Sequence, residues 1–327
     1  MLQYRPFIAF IICFLSINTV ESALWQKNPQ IVEKVSDEKK QFVADTSQRV
    51  CAGRAFSSQQ RDFSYSDPVS ELFAGDKFTE RIKWLRQFAD KSDPNVTFPV
   101  VLRAVTIDDM VKKIITDSSI KQIVTIGAGM CTRPYRLNLP GISWFEVDME
   151  RVISLKQKLL RWSPFKYWFC LFEKRNISLK YISIDLAENL HLLISQLKSS
   201  GFDSNSSTLF IMEGLCYYLT DDEVKALFAA LPRINGSRVI ASHVTGTSGT
   251  SVRTEKKIMT EKKTIANLFK CDLNSNKVHK SFGKWKITSF CYPSKLQRVV
   301  RNWRAQSLNE NPPNDEAEAF VELTPNA

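Results

Sequence analysis

Hydrophobic residues fall along this chain in two alternating patterns. The first is a short apolar run of four to six residues, which is typical of a buried β-strand. Because seven such runs occur, all after residue 120, we predict seven strands. The runs are QIVTI, ISWFEV, KYISI, TLFIM, RVIAS, KITSF and FVEL, beginning at residues 122, 142, 180, 208, 238, 286 and 320.

The second pattern has the period of an amphipathic helix and lies between several of these runs. Two of the predicted helices carry a capping pair at the start, Thr106 with Asp109 and Thr220 with Glu223. The helices are predicted over Thr106–Asp117 and Arg151–Trp162, after Thr220 and after Pro293.

Strands that alternate with helices indicate an α/β fold, with a mostly parallel sheet covered by helices on both faces. The early strands are almost continuously apolar, as strands buried on both faces are. Because no linker separates the seven runs, we predict one domain over residues 23–327. Its first part, about residues 23–100, is predicted to be helical and to form a lid.

The first 22 residues have a different character. Arg5 precedes the apolar run Phe7–Ile17, and small residues follow at Val20 and Ser22. This layout is typical of a secretory signal peptide, and an uncleaved membrane anchor is the alternative. We therefore expect the secretory pathway or membrane association through residues 1–22, with a cytoplasmic location if the segment has no targeting role.

The composition is that of an ordinary globular protein, with 43% hydrophobic and 24% charged residues. Of the formal net charge of +11, much lies in helix-like runs such as Arg253–Lys263, where glutamates are interleaved with lysines. Such a run is more typical of a solvated helix face than of a nucleic-acid surface, so we expect no nucleic-acid partner. The cysteines are scattered, without a C-x-x-C pair or a nearby histidine, and we predict no metal site.

The junction QIVTIGAG is the first sign of a ligand site. Gly127 and Gly129 directly follow a predicted strand, and glycine lets the backbone turn sharply and approach a ligand. The next strand leads to Asp148, nineteen residues after Gly129, where a carboxylate can accept hydrogen bonds from both hydroxyls of a ribose. Ligands of such sheets bind beyond the carboxyl ends of the strands, so a nucleoside-containing ligand is expected here.

Two cofactor classes share this layout. A dinucleotide fold has a third glycine where this chain has Thr132, and Pro134 follows in place of a clean helix start. S-adenosylmethionine contains a ribose but no phosphate, so it needs the glycine turn and the acid without the phosphate cradle. The pattern therefore favours S-adenosylmethionine over NAD or FAD.

Four ordered blocks of the sequence resemble the leucine carboxyl methyltransferase family, which are class I S-adenosylmethionine-dependent O-methyltransferases. The blocks are YSDPVSELFAGD from residue 65, VTIGAGMCTRPYRL from 124 with WFEVDME from 144, SIDLAENL from 183, and LFIMEGLCYYLTDDEVKALFAAL from 209. The resemblance covers about residues 49–320. It implies the Rossmann-like, seven-stranded class I methyltransferase sheet and S-adenosylmethionine as the methyl donor.

The resemblance also implies roles for the residues at the adenosyl end of the donor. Gly127 and Gly129 would line its methionine part, and Asp148 would hold the ribose. Asp185 would accept a hydrogen bond from the exocyclic amine of adenine, and Leu186 would cover the ring.

At the reacting end, the resemblance implies that Arg103 clamps the carboxylate of the donor, for which a bidentate guanidinium is suited. Glu213 would face the amino group of the donor or the reaction cleft, and Tyr218 would lie near the acceptor. Glu213 and Tyr218 are therefore the candidate catalytic residues.

Purely structural roles stay open for these residues. Glu213 follows the apolar run LFIM, where a carboxylate is costly unless it is paired or lies at a ligand site. Asp148 and Asp185 could each cap the helix that follows, Arg103 could form a surface salt bridge, and Tyr218 could pack in the core. Arg133 and Arg136 could either bind an acidic acceptor or pair with nearby carboxylates.

The chain departs from the family pattern at two positions. Cys131 stands where members usually carry aspartate, in the turn after the glycines, and Val105 stands where a second arginine is often found. The first change removes a charge beside the cofactor loop, and the second removes a contact to a carboxylate. Both changes affect the expected substrate and catalytic activity more than the expected binding of the donor.

A carboxylate acceptor is ionised at neutral pH and requires no general base. This agrees with a chain that has three histidines, none in a recognisable catalytic motif. We therefore predict a monomeric enzyme that needs no metal and methylates a carboxylate of a small molecule or a protein C-terminus. The alternatives are a catalytically weakened relative that acts as a binding or secreted protein, and an RNA-modifying methyltransferase.

Overall fold

A computed structural model describes residues 29–59, 65–75, 98–161, 178–243, 282–291 and 319–325 of the 327-residue chain. The predicted segment 1–22 and the helix predicted after Pro293 lie outside these ranges and stay predictions, as does the single domain over residues 23–327. Within the described ranges, no helix is both long enough and apolar enough to span a bilayer.

All seven predicted strands are present in one sheet, in the order β3-β2-β1-β4-β5-β7-β6. Strands β1 to β5 are parallel, and β7 runs antiparallel to its neighbours β5 and β6. The predicted seven-stranded, mostly parallel sheet is therefore confirmed. The strands are β1 Gln122–Ile126, β2 Ser143–Asp148, β3 Ser178–Ser183, β4 Thr208–Met212, β5 Arg238–His243, β6 Trp285–Cys291 and β7 Ala319–Pro325.

Helices connect the parallel strands and precede the sheet. The described helices are α1 Pro29–Ser58, α2 over residues 70–75, α3 Phe98–Thr116, α4 Arg133–Arg136, α5 Glu150–Arg161, α6 Leu186–Asn189, α7 Leu193–Ser199 and α8 Asp221–Ala230. Short 3-10 turns lie at Leu190–Leu192 and Cys216–Tyr218. The helical prediction for the region before the sheet agrees with α1 and α2, whereas residues 60–64 and 76–97 are not described.

Of the two predicted capping pairs, one is confirmed and one is wrong. Thr220 and Glu223 form the predicted capping box at the start of α8. The predicted cap at Thr106 and Asp109 is wrong, because α3 begins at Phe98 and both residues lie inside it. The apolar stripe of this helix continues back through the fully buried Val101 and Ala104, and its packing outweighs the local capping signal.

The core is divided by the sheet, because successive residues of a strand point to opposite faces. Ile123 of β1 packs in a cluster with Ile107 and Val111 of α3, whereas its neighbour Val124 packs in the cluster that contains Phe210 of β4 and Phe228 of α8. Full burial of a side chain of this size contributes about 1.5–3 kcal/mol. The two clusters hold the strands in a rigid frame, and the polar residues lie at its carboxyl edge.

The strand order turns back between β1 and β4, so β1, β2 and β4 end side by side at one edge of the sheet. Helix α1 crosses this edge. A Cβ atom on Gly129 would lie 3.1 Å from Cβ of Ser47 in α1. Arg54 of the same helix donates from Nη2 to the carbonyl oxygen of Met130 at 2.6 Å. The predicted helical cover is therefore in contact with the edge, and its action as a lid stays a prediction.

Candidate functional site

The glycine turn after β1 is held against the end of β2. The amides of Gly127 and Ala128 both donate to the carbonyl oxygen of Val147, at 2.9 and 3.0 Å. Gly127 and Gly129 have φ angles of 67° and 50°, which lie in the left-handed region that favours glycine. The conformation of this turn therefore depends on both glycines.

Gly127 also permits a close approach. A Cβ atom added there would lie 2.9 Å from Cδ1 of Leu215, a distance that real Cβ contacts do not reach. Leu215 lies in the segment that follows β4, so the loops after β1 and β4 meet above the glycine. The two loops that would surround the methionine part of a donor are thus in direct contact.

Asp148 ends β2 and binds the glycine turn. Its Oδ2 accepts from the amide of Gly129 at 2.7 Å, and its Oδ1 accepts from the amide of Met149 at 2.7 Å. Burial raises the pKa of Asp148, and the two amide donors oppose the shift. Met149 precedes α5, which begins at Glu150, so the contact to its amide does not cap the helix. The Gly129 contact gives Asp148 a different function, because it fixes the turn.

Asp185 lies one strand further along the same edge. Its Oδ1 accepts from the amide of Ala187 at 3.1 Å and so caps α6, while its Oδ2 lies 2.9 Å from Nζ of Lys40 in α1. A backbone hydrogen bond connects the loop of Asp185 to Asp148, the predicted ribose-binding residue, because the amide of Ile184 donates to the carbonyl oxygen of Asp148 at 2.8 Å. Leu186, the next residue, is partly buried against the core.

Arg103 and Glu213 meet at the end of β4. Nε of Arg103 donates to Oε1 of Glu213 at 3.0 Å, and Nη1 of Arg133 donates to Oε2 at 2.5 Å. Burial by itself would raise the pKa of Glu213, but the charges of Arg133 and Arg103 outweigh it and hold the pKa well below its ordinary value. Glu213 is therefore ionised and paired, and its side chain retains 12% exposure.

Arg133 and Arg136 are engaged by carboxylates, as one of the two sequence interpretations proposed. Asp108 of α3 accepts from Nε of Arg133 at 2.7 Å and from Nη2 of Arg136 at 2.8 Å. Asp67 lies 3.2 Å from Nε of Arg54 and accepts from the hydroxyl of Thr132 at 2.8 Å. We call the seven residues joined in this way the buried ion cluster: Arg54, Asp67, Arg103, Asp108, Arg133, Arg136 and Glu213.

The buried ion cluster consists of four arginines and three acids. Cys131, where the resemblance leads us to expect an acid, is buried beside it, and its Sγ lies 3.7 Å from Nη1 of Arg133. The replacement of a family carboxylate by this thiol stays a prediction from the resemblance.

Tyr218 faces the same region from the 3-10 turn after β4. Burial raises the pKa of the Tyr218 hydroxyl, while the charge of Arg103 and a hydrogen bond with Thr46 of α1 act against the rise. The hydroxyl stays protonated at neutral pH and is suited to donate a hydrogen bond, but not to act as a base.

The structure brings the predicted residues to one edge in two groups. Gly127, Gly129, Asp148, Asp185 and Leu186 form a continuous group along β1, β2 and β3, and Arg103, Glu213 and Tyr218 form the other at β4. Their binding roles stay predictions. Among the described residues there is no group of three His, Cys, Asp or Glu side chains placed to hold a metal ion.

Four residues of this edge were missed by sequence reasoning, and one of them, Arg54 of α1, has no local signal of its role. Asp108 has a readable signal, because it lies four residues after the buried Ala104 and so falls on the apolar stripe of α3. Asp67 lies in the block YSDP that carried the family resemblance but received no role. Lys40 lies in a run of charged residues that gives no indication of its partner.

Comparison with known proteins agrees with this arrangement. The family model for leucine carboxyl methyltransferase matches residues 47–231, which is more than half of the chain. This chain belongs to the leucine carboxyl methyltransferase family. The matched part of this family member includes the glycine turn, Asp148, Asp185 and the whole buried ion cluster.

Two bacterial relatives carry the name "Putative S-adenosyl-L-methionine-dependent methyltransferase". The protein of Streptomyces coelicolor is 29% identical over 210 residues, and that of Mycolicibacterium paratuberculosis is 29% identical over 216 residues. The alignments cover 59% and 62% of this chain and 66% of each relative, just under two thirds of their length.

Solved structures show the same fold. A "putative methyltransferase" of Thermobifida fusca superposes with a TM-score of 0.54 at 15% identity and covers 84% of this chain and 94% of its own. A DUF574 family protein of Streptomyces avermitilis superposes with a TM-score of 0.52 at 14% identity and covers 84% and 96%. The family member therefore has the class I methyltransferase fold that its strand order indicates.

Proposed function

We propose that this protein transfers a methyl group from S-adenosylmethionine to a carboxylate oxygen of a small molecule or a protein C-terminus. The observation that carries the proposal is the pairing of Arg103 with Glu213 at the end of β4, in the segment whose Leu215 lies against Gly127 of the glycine turn. A guanidinium and a carboxylate side by side complement the carboxylate and the ammonium of an amino acid. The methionine part of the donor is such an amino acid.

The remaining edge of the sheet fits the nucleoside. The two oxygens of Asp148 each accept one backbone amide and each retain a further lone pair for a ribose hydroxyl. Asp185 lines a cavity of about 480 Å³ beyond β2 and β3, together with Met149 and Ser183. This cavity is large enough for a purine base, and Asp185 supplies an acceptor for its exocyclic amine.

The donor, when bound, supplies a methyl group on a positively charged sulfur. Arg103 and Glu213 would orient its amino acid end, and Asp148 would fix the ribose. Leu215, over Gly127, would keep water from the reacting atoms. Such positioning in a closed site lowers the barrier by roughly 7–11 kcal/mol in well-oriented cases.

An anionic acceptor suits the electrostatics of the site. Four arginines of the buried ion cluster lie at this edge, and the sulfonium of the donor would add a further positive charge. A carboxylate is attracted by these positive charges and is ionised without a base. The protonated hydroxyl of Tyr218 would donate a hydrogen bond to it, which agrees with the raised pKa of this phenol.

The proposal is tested by methyl transfer from donor labelled in the methyl group. The full chain is incubated with a panel of carboxylic acids and C-terminal peptides, and the product is treated with mild alkali. A carboxyl methyl ester releases its label as methanol, whereas an ether or an N-methyl product keeps it. Alkali-stable label would contradict carboxyl methylation.

Binding is measured separately by calorimetry with S-adenosylhomocysteine. We expect wild-type protein to bind it and Asp148→Asn to bind it more weakly, because the amide cannot accept as many hydrogen bonds. Absence of binding at millimolar concentration would end the methyltransferase proposal. Binding without turnover on any acceptor would favour the alternative of a non-catalytic relative.

A further inference from the structure

The cavity beyond β2 and β3 has one wall that comes from the N-terminal helix. Its volume is about 480 Å³, and it is lined by Ser183 of β3, by the segments that follow β2 and β3, by α5 and, through Lys40, by α1. The lining residues are Lys40, Met149, Glu150, Arg151, Ser154, Ser183 and Asp185. A residue of the N-terminal helix is therefore part of the pocket that contains Asp185.

Lys40 is held by two acids. Its Nζ lies 2.9 Å from Oδ2 of Asp185 and 2.8 Å from Oε1 of Glu188. Hydrogen bonds to Glu188 and Asp185 raise the pKa of Lys40, so the side chain is a cation at neutral pH. An ammonium group has three donors, and these two contacts use two of them.

The pair of Lys40 and Asp185 offers a donor and an acceptor side by side. Adenine presents the opposite pattern on this edge, because its 6-amino group donates while the ring nitrogens on both sides accept. A 6-oxo purine places a carbonyl oxygen where the amino group would be, against the oxygen of Asp185. The ion pair is thus complementary to a 6-aminopurine and not to a 6-oxopurine held in the same orientation.

We propose that Lys40 is a specificity-determining residue for the adenine base: it fixes Asp185 and donates to ring nitrogen N1 beside the 6-amino group, an atom that carries a hydrogen in a 6-oxopurine and cannot accept there. This inference rests on the proposed function. Lys40 stays in place on binding, because Glu188 anchors it independently and Oδ2 of Asp185 has a second lone pair for the amine.

Calorimetry with two ligands tests the inference in the full-length chain. S-adenosylhomocysteine carries the 6-amino group, and S-inosylhomocysteine differs by a 6-oxo group. We expect Lys40→Met to weaken S-adenosylhomocysteine about tenfold and to leave S-inosylhomocysteine nearly unchanged, so that discrimination between the two falls about tenfold. The control is Lys225→Met, which removes another exposed lysine, paired with Asp222 at 2.9 Å, and should change neither affinity.

A second variant leaves Lys40 in the chain. Glu188→Gln removes the charge of its other anchor, and a loss of about threefold in affinity for S-adenosylhomocysteine is expected, again without effect on S-inosylhomocysteine. Because Lys40 is still present, this variant tests the inference even if Lys40→Met does not fold.

Two results would overturn the inference. Equal or tighter binding of S-adenosylhomocysteine by Lys40→Met would show that Lys40 is a bystander or a competitor of adenine. An equal loss for both ligands would show a general effect on the cavity without base specificity. Failure of the wild-type protein to bind S-adenosylhomocysteine is a different result, since it removes the proposed function itself.

Discussion

The two ends of the proposed donor site are built from the same kinds of side chain in opposite settings. At the methionine end, Arg133 is 2% exposed and joins Asp108 to Glu213 inside the buried ion cluster. At the adenine end, Lys40 is 33% exposed and joins Asp185 to Glu188 at the mouth of a cavity.

The difference in burial separates stability from recognition. Removal of one partner from a buried pair leaves an uncompensated charge, which costs several kcal/mol, whereas an exposed pair contributes about 0–1 kcal/mol. Substitutions at the methionine end should therefore destabilise the protein strongly, and substitutions at the adenine end should change mainly ligand binding.

The largest expected effect is that of Arg133→Met. This change leaves Asp108 and Glu213 without their shared partner, and we expect the free energy of unfolding to fall by about 4 kcal/mol in urea titrations. Lys225→Met, in the exposed pair with Asp222, is the control and should cost no more than about 0.5 kcal/mol. A loss below about 1 kcal/mol for Arg133→Met would remove the distinction between the two ends.

Gly127→Ala should have the next largest effect. Alanine at a φ of 67° costs roughly 1–2 kcal/mol, and its Cβ would also lie 2.9 Å from Leu215, so we expect a total loss of about 3 kcal/mol. Gly141→Ala is the matched control, because its φ is 74° but no atom lies within 4 Å of the added Cβ. Equal losses in chemical denaturation would show that Leu215 moves aside freely.

The variant Glu213→Gln tests whether the charge of Glu213 stabilises the protein, through the pH dependence of the free energy of unfolding. The pKa of Glu213 is lowered on folding, so its stabilising contribution is present above the unfolded pKa, near pH 4.3, and is lost as the pH falls toward the folded value. We expect the variant to be about 2 kcal/mol less stable than wild type at pH 7. The difference in stability between wild type and variant should become smaller below about pH 4 in denaturation series. A difference that is constant with pH would contradict a stabilising charge on Glu213.

The smallest effect on stability is expected for Lys40→Met. Because Lys40 is 33% exposed and its partner Glu188 is 57% exposed, the free energy of unfolding should change by about 0.5 kcal/mol or less, although the same variant should lose donor affinity. Thermal unfolding without ligand measures the first quantity. A loss near that of Arg133→Met would mean that the adenine end is as structural as the methionine end.

The sheet could be predicted because strand and helix periods are local properties. The run at Gln122–Ile126 is the strand β1 with the predicted bounds, and the run at Thr208–Met212 is β4. The start of α3 was wrong because tertiary packing of Val101 and Ala104 extends the helix beyond its apparent cap. Local signals thus located the elements better than they located the ends of the helices.

The site was predictable only in part, because pairing between distant residues has no local signal. The acids at 148, 185 and 213 were located by strand ends and family resemblance, and all three lie at the expected edge. Two residues that pair with site residues were not predicted: Lys40 of α1 contacts Asp185, and Asp108 of α3 contacts both Arg133 and Arg136. The secondary-structure pattern does not specify which face of α1 turns toward the sheet.

One contact beyond the family-matched part has a practical consequence. The amide of Gly214, the residue after Glu213, donates to Oγ of Ser242 in β5 at 2.9 Å, and β5 begins at Arg238, after the matched residues 47–231. A fragment trimmed to the matched residues would lack Lys40 and would expose the backbone groups of β4 as a free edge. Such edges recruit other chains, so expression trials on the short fragment should yield aggregates where the longer chain yields soluble protein.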